Sequence, residues 1–312
     1  MGRVIGKKKA MIAVFKNPSF EKIGQNFFKL FDFCPNIQSL DLSQYSLQFS
    51  DIDIVFSSCP QLECLRITSD EINWTKFMGL KVLGLKHFSL SLIAKTPIYG
   101  IHEKPLELIE YKDTIRLQDF TIINPQINSI SLEILTVYLR IMSTELKKIH
   151  FLPVHKISQF EALDLIHSLT PNGSNHSVKD FNLNVFVFDE LFEELSRSLP
   201  SIESLSLHLN IETKQNDLLK KLKNLRKLNL NFNSNVNFFS FEGLHSDSDK
   251  QFIDLLPNIP PTLQKLTIFD ATLSLSAFIQ TLNFLPKLRE LELIYVFIEN
   301  DCQQSFWQVF IH

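Results

Sequence analysis

Four cysteines and nine histidines are the side chains of this chain with the widest chemical range. Cys34 and Cys59 each precede a proline and stand 25 residues apart. Stacked one above the other, such a pair could form a disulfide or half of a metal site. The equivalent slot, three positions ahead of an apolar residue, is Leu199, Leu222 or Leu285 elsewhere. A cysteine that alternates with leucine is behaving as a small buried hydrophobe, and both are read that way. Cys64 differs, because it lies two residues from Arg66 and a nearby cation favours the thiolate. A nucleophile also needs a base, and the reading below puts no histidine beside Cys64.

The histidines form no H-E-x-x-H and no Cys/His pairs at zinc spacing. His102, His150 and His155 fall in different elements. There is no P-loop, G-x-G-x-x-G or G-x-S-x-G, and 8 glycines leave little for a phosphate cradle. Glu193/Glu194 and Glu290/Glu292 are read as solvated faces, not as acid/base dyads. The residues therefore point to no enzyme, no cofactor and no metal.

What positions these groups is a repeat. The pattern L-x-x-L-x-L, with Ile, Val, Phe or Tyr substituting, returns along most of the chain. Copies start at Ile37, Leu62, Leu80, Leu106, Leu146, Val178, Ile202, Leu225, Leu263 and Leu288. Many of their intervals fall in the 20–29 band of leucine-rich repeats. Each copy suits one short strand, since its fourth and sixth positions share a face under period-two alternation. Leu132/Leu135/Val137 also fits, but its surroundings have helical spacing and it is rejected as a strand. Helical stripes are expected from Phe27, Phe28, Leu30, Phe31 and Phe33, from Ile157, Phe160, Leu163, Ile166 and Leu169, from Leu191, Phe192 and Leu195, and from Phe278, Ile279, Leu282 and Leu285. No such unit buries its own apolar face, so neighbours must stack. The expected fold is an α/β leucine-rich-repeat solenoid, a horseshoe of about ten repeats with a concave parallel sheet and convex helices. Residues 1–18 read as a basic N-terminal extension and 19–312 as the repeat domain.

The register nominates a binding surface. Odd motif positions should face the concavity, giving Asp41, Cys64, Arg66, Thr68, Glu110, Lys148, His150, Asn182, His208, Lys227, Asn229, Lys265, Phe269 and Glu292. This face is rich in hydroxyls and amides, which suits a polar peptide or protein surface better than a small apolar ligand. Residues 231–250 interrupt the rhythm, with Phe238, Phe239 and Phe241 in a polar stretch that either contacts a partner or folds back.

A net charge of −3 gives no basic excess for phosphate contacts, so nucleic acid is not expected. No run approaches the length of a membrane span, and residues 10–15 are too short for a signal core. A cytoplasmic or nuclear protein with reduced thiols is expected. Cys302 to Ile311 reads as a helix preceding a further strand; either it folds over the last strand as a cap or the domain is truncated at its C-terminal end.

The phrases CPNIQSLDLS, CPQLECLRIT, LPSIESLSLHL and LPKLRELEL resemble the repeats of fungal F-box/leucine-rich-repeat proteins of the ribonuclease-inhibitor-like class. The resemblance spans roughly residues 19 to 312. It implies a substrate-recognition subunit of a cullin ubiquitin ligase, or a degenerate copy of one, with the F-box-binding adaptor as a partner. No F-box-like L-P-x-E/D-I segment precedes the first repeat. The alternative is an interaction scaffold with no ubiquitin-ligase link.

Overall fold

The computed structural model describes residues 3–7, 10–14, 25–69, 84–92, 116–123, 129–152, 157–186, 189–208, 216–232, 245–294, 296–300, 303–307 and 310–311. They divide into two compact units, Met1–His155 and Lys156–His312.

In the first unit, β1 (Arg3–Lys7) and β2 (Ala10–Val14) form an antiparallel hairpin. β2 runs parallel to β3 (Ile37–Leu47), so residues expected as an extension join the sheet. Beyond it lie β4 (Cys64–Ser69), β5 (His87–Leu92), β6 (Asp119–Ile123) and β7 (Lys148–Leu152), each parallel to the one before. Strict alternation sends one set of side chains inward. Leu40, Leu65, Phe88, Phe120 and Ile149 form one cross-strand row, and Leu42, Ile67, Leu90, Ile122 and Phe151 a second. None of the ten is more than 3 % exposed. At about 1.5–3 kcal/mol for each fully buried large apolar side chain, these rows contribute a large share of the unit's stabilisation.

One backbone device repeats at the mouth of the strands. The Glu63 carbonyl accepts the N–H groups of Lys86 and His87, that of Lys86 accepts Gln118 and Asp119, and that of Gln118 accepts Lys147 and Lys148, at 2.7–3.1 Å. Each residue of the series therefore occupies the same place in its repeat. One expectation is corrected by this, and one strand is added to those expected. The strand of the third repeat is β5, carried by Leu85/Phe88/Leu90, five residues later than the copy that starts at Leu80. Between β5 and β7 stands β6, carried by Leu117/Phe120/Ile122, while Leu106, Ile109 and Tyr111 lie outside the described residues. The physical reason is that Phe fills the leucine position in both true copies, and burying a larger apolar side chain favours that register.

Among the described residues, two helices of ten or more residues accompany this unit. In α1 (Phe49–Ser58) the Gln48 N–H donates to Asp51 Oδ2 at 2.8 Å, and Ile52, Val55 and Phe56 are buried at helical spacing. α2 (Ser129–Met142) buries Leu135, Leu139 and Met142, so the rejected strand motif at Leu132 is indeed helical. The crowded phenylalanine segment forms only a helical turn, Gln25–Phe28, and a 3-10 turn, Phe31–Phe33. Phe28 and Phe31 are buried there, while Phe33 is exposed.

The second unit repeats the scheme. α3 (Gln159–Leu169) starts at a reciprocal cap: Glu161 N–H donates to Ser158 Oγ at 3.3 Å, and Ser158 N–H donates to Glu161 Oε2 at 2.7 Å. β8 (Asp180–Phe186), α4 (Asp189–Ser198), β9 (Ser204–His208), a 3-10 turn (Asn216–Lys221) and β10 (Lys227–Asn231) follow. Then come α5 (His245–Leu255), β11 (Lys265–Phe269), a short β12 (Thr272–Ser274), α6 (Leu275–Phe284) and β13 (Glu290–Ile294). Strands β8, β9, β10, β11 and β13 are parallel neighbours in that order. Their inner rows are Phe181, Leu205, Leu228, Leu266 and Leu291, then Leu207, Leu230, Ile268 and Leu293, each at most 3 % exposed. The carbonyls of Lys179, Glu203, Arg226 and Gln264 repeat the paired-acceptor device.

The helix faces need correcting in two places. On α3, Ala162, Leu165, Ile166 and Leu169 are buried, whereas Phe160 is 77 % exposed. On α6, Ala277 and Thr281 turn inward, and Ile279 and Leu282 are about half exposed. Small residues let each helix approach closely, which rotates the larger neighbours outward. Of the 231–250 insertion, 245–250 begin α5, Phe232 packs edge-on to Phe252 at 6.1 Å, and Phe238, Phe239 and Phe241 lie outside the described residues.

The expected terminal helix is also corrected. β14 (Val296–Asn300) and β15 (Gln303–Trp307) pair antiparallel, β14 pairs with β12, and β16 (Phe310–Ile311) pairs antiparallel with β13. No helix among the described residues is long and apolar enough to cross a membrane.

Candidate interaction surface

Alternation that buries leucine on one side of a strand presents polar side chains on the other. In the first unit one outward row reads Ser39, Cys64, His87, Asp119, Lys148, and the next reads Asp41, Arg66, Ser89, Thr121, His150. The residues are held by one another. Asp41 Oδ1 accepts from Ser43 N–H at 3.0 Å and from Ser43 Oγ at 2.6 Å, and Asp41 Oδ2 lies 3.7 Å from Arg66 Nη1. His87 Nδ1 and Asp119 Oδ2 are 2.7 Å apart. Asp41, Cys64, Arg66, Lys148 and His150 thus stand in the rows that alternate with the buried ones. Glu110 lies outside the described residues, and Asp119 and Thr121 hold the outward positions between β5 and β7. Thr68 is only 2 % exposed, because its Oγ1 donates to the Ser43 carbonyl at 2.7 Å instead of facing solvent.

In the second unit the rows are Asp180, Ser204, Lys227, Lys265, Glu290; then Asn182, Ser206, Asn229, Thr267, Glu292; then His208, Asn231, Phe269, Ile294. All the residues expected here, Asn182, His208, Lys227, Asn229, Lys265, Phe269 and Glu292, fall in these rows. Asn229 Nδ2 donates to Ser206 Oγ at 2.9 Å. Lys265 Nζ sits 3.0 Å from Glu292 Oε1 and 3.1 Å from Glu290 Oε2, and Thr267 Oγ1 donates to Glu292 Oε2 at 3.0 Å. The Glu292 hydrogen bond raises the Lys265 ammonium above its ordinary value, with Glu290 adding to the rise. In return Lys265 holds the Glu292 carboxyl below the usual range, against some desolvation. Each face is therefore ordered in part by its own ion pairs and hydrogen bonds.

His87, Ser89, Asp119 and Thr121 escaped the sequence reading. The signal was present as Leu85-x-x-Phe88-x-Leu90 and Leu117-x-x-Phe120-x-Ile122. With these copies the intervals from Leu62 to Leu146 become 23, 32 and 29 residues. The new register also overturns the expectation about Cys64, since His87 is its cross-strand partner.

Two further thiols and one further acid are tied into the packing. Cys34 N–H donates to the Phe31 carbonyl, and Cys59 N–H to that of Val55, each at 2.9 Å. The same closing bond is made by Leu199 and Leu285 at their helix ends. Burial pushes the Cys59 thiol up to about 11, with Cys34 contributing. Both cysteines are free. Glu194, expected as a solvated surface acid, is 8 % exposed and bonded to Ser198, Arg197 and His167. Burial works to raise its pKa, but the hydrogen bonds from Ser198 and Arg197 outweigh burial and hold it below the usual range. Among the described residues no group of three or more His, Cys, Asp or Glu could hold a metal ion.

The chain matches no family model, and comparison with curated proteins finds no relative.

Proposed function

We propose that this chain is a protein-binding leucine-rich-repeat module, a horseshoe of about ten repeats whose helices lie outside the curved sheet. The observation that supports this reading best is the pair of outward polar faces, one on each unit. Each is built on rigid strands, is backed by a fully buried row, and is ordered by its own hydrogen bonds. Ordered side chains lose little entropy on binding, which is what a recognition surface needs. Ser, Asn, Thr and His offer both donors and acceptors, while Phe269 supplies an apolar anchor beside them.

Combined with the family resemblance, the module reads as a substrate receptor of a cullin ubiquitin ligase or a degenerate copy of one. Its faces would then take the substrate, and the F-box-binding adaptor would be a second partner. An interaction scaffold without a ligase link is the other reading. It is favoured by residues 3–7 and 10–14, which are engaged in the sheet as β1 and β2.

The test is affinity purification of the tagged full chain from its own cells, followed by mass spectrometry. Adaptor and cullin in the eluate support the receptor, and a reproducible partner without them supports the scaffold. Arg66→Glu and Asn229→Arg, each on an outward row, should weaken that partner's capture. Undiminished capture by both variants, with unchanged circular dichroism, would refute the face as the binding surface.

A further inference from the structure

The row Cys64–His87–Asp119 places a thiol, an imidazole and a carboxylate on three consecutive parallel strands. Their chain neighbours Leu65, Phe88 and Phe120 are at most 2 % exposed, so all three belong to the outward face. In-register neighbours on adjacent strands stand about 4.8 Å apart, within side-chain reach of one another. The imidazole is already oriented. Its Nδ1 is bound to Asp119 Oδ2 at 2.7 Å, which leaves Nε2 on the opposite edge of the ring, and Asp119 stands on the strand away from Cys64. Nucleophile, base and orienting acid thus follow one another in the order that thiol chemistry requires. His87 is about half exposed and Cys64 is partly exposed, so a dissolved reagent can reach them.

An acyl-transfer enzyme would need oxyanion donors and a substrate cleft as well, and this row sits on an open sheet. We propose instead that Cys64 is a modification site that takes up a low-molecular-weight disulfide, with His87 as its proton acceptor and Asp119 as the positioning residue. In the step, Cys64 Sγ–H passes its proton to His87 Nε2 and the sulfur attacks one sulfur of the disulfide. The new S–S bond forms as the old one breaks. Cys64 is oxidised, the departing sulfur is reduced, and it leaves as a thiol after recovering the proton from the imidazolium. A bulky adduct here would stand among Ser39, Arg66 and Ser89, in the middle of the first unit's face. The inference does not depend on the identity of any protein partner.

The experiment is the rate of mixed-disulfide formation with oxidised glutathione at neutral pH, resolved by peptide mass spectrometry so that Cys64 is separated from Cys34, Cys59 and Cys302. Cys64 is expected to react about tenfold faster than the cysteine of an unstructured peptide, and H87Q is expected to remove most of that advantage. D119N should give an intermediate rate. Equal rates for Cys64 and the free peptide would overturn the proposal without any variant. So would equal Cys64 rates in the parent and a folded H87Q, which would leave His87 a merely structural neighbour.

Discussion

Replacing Phe88 by alanine tests the register on which both the fold and the first unit's face depend. Phe88 is 2 % exposed in β5, pairs with Leu65 on one side and Phe120 on the other, and its ring centroid lies 6.3 Å from that of Phe120 at 32°. Removing a buried Phe costs about 3–5 kcal/mol through lost transfer energy plus the cavity left behind. Ser89, the next residue along, faces outward, and Ser89→Ala should stay within about 0.5 kcal/mol. The assay is urea denaturation of both variants, with hydrogen exchange of the β5 amides to localise the loss. A milder cycle of Phe88→Leu, Phe120→Leu and the double variant should give a coupling of about 0.5–1 kcal/mol for the ring pair. If Phe88→Ala costs less than about 1 kcal/mol, or Ser89→Ala costs as much, the strand is not in this register. His87 would then not stand beside Cys64 either.

Three further outcomes follow from charges and thiols. Glu194 is held below the ordinary carboxylate range, so it stabilises the fold above that range and the contribution fades as pH falls through its folded pKa; Glu194→Gln should cost about 1–3 kcal/mol at neutral pH, with the gap to the parent closing in acid urea titrations. Lys265 is raised and Glu292 lowered, so their bond contributes between the two transitions and is lost in strong acid and strong alkali. With both side chains about a quarter exposed, Glu292→Gln should cost about 0.5–1 kcal/mol at neutral pH and become less costly in high salt, as thermal denaturation can read. Cys59, raised to about 11, is about one part in a thousand thiolate at pH 8, so iodoacetamide should label it only on unfolding; rapid labelling of the folded chain would contradict its burial.

How much of this was legible beforehand depended on the residue that filled each leucine slot. Where Leu or Ile occupied the fourth and sixth positions, as in Leu40/Leu42, Leu205/Leu207 and Leu228/Leu230, the strand and its outward face were read correctly. In β5 and β6, where Phe also occupied the fourth position, nearby leucines offered a competing match, so β5 was placed five residues early and β6 was not read. The packing explains why Phe is accepted there, since Phe88 and Phe120 fill the space together and neither would do so alone. Helix faces were less legible, because Ala162, Ala277 and Thr281 bury as well as larger residues and leave no hydrophobic mark in a periodicity count. The pairing of His87 with Asp119 was invisible for a different reason. Their separation of 32 residues is meaningless until both strands are in register. Glu194 was misread because carboxylate pairs in sequence carry no information about which member meets a serine, an arginine and a histidine.

In each unit the parallel run meets a strand of opposite direction at one end, β1 against β2 and β16 against β13. A bare edge of a parallel sheet is a template, because its unpaired amides and carbonyls accept any extended segment that drifts past. At Leu291 and Glu292 those groups face Ile311 and Phe310 instead. Strand addition, the route by which many peptides bind sheets, is thereby blocked at those two residues, because the slot that another chain would take is already filled by this one.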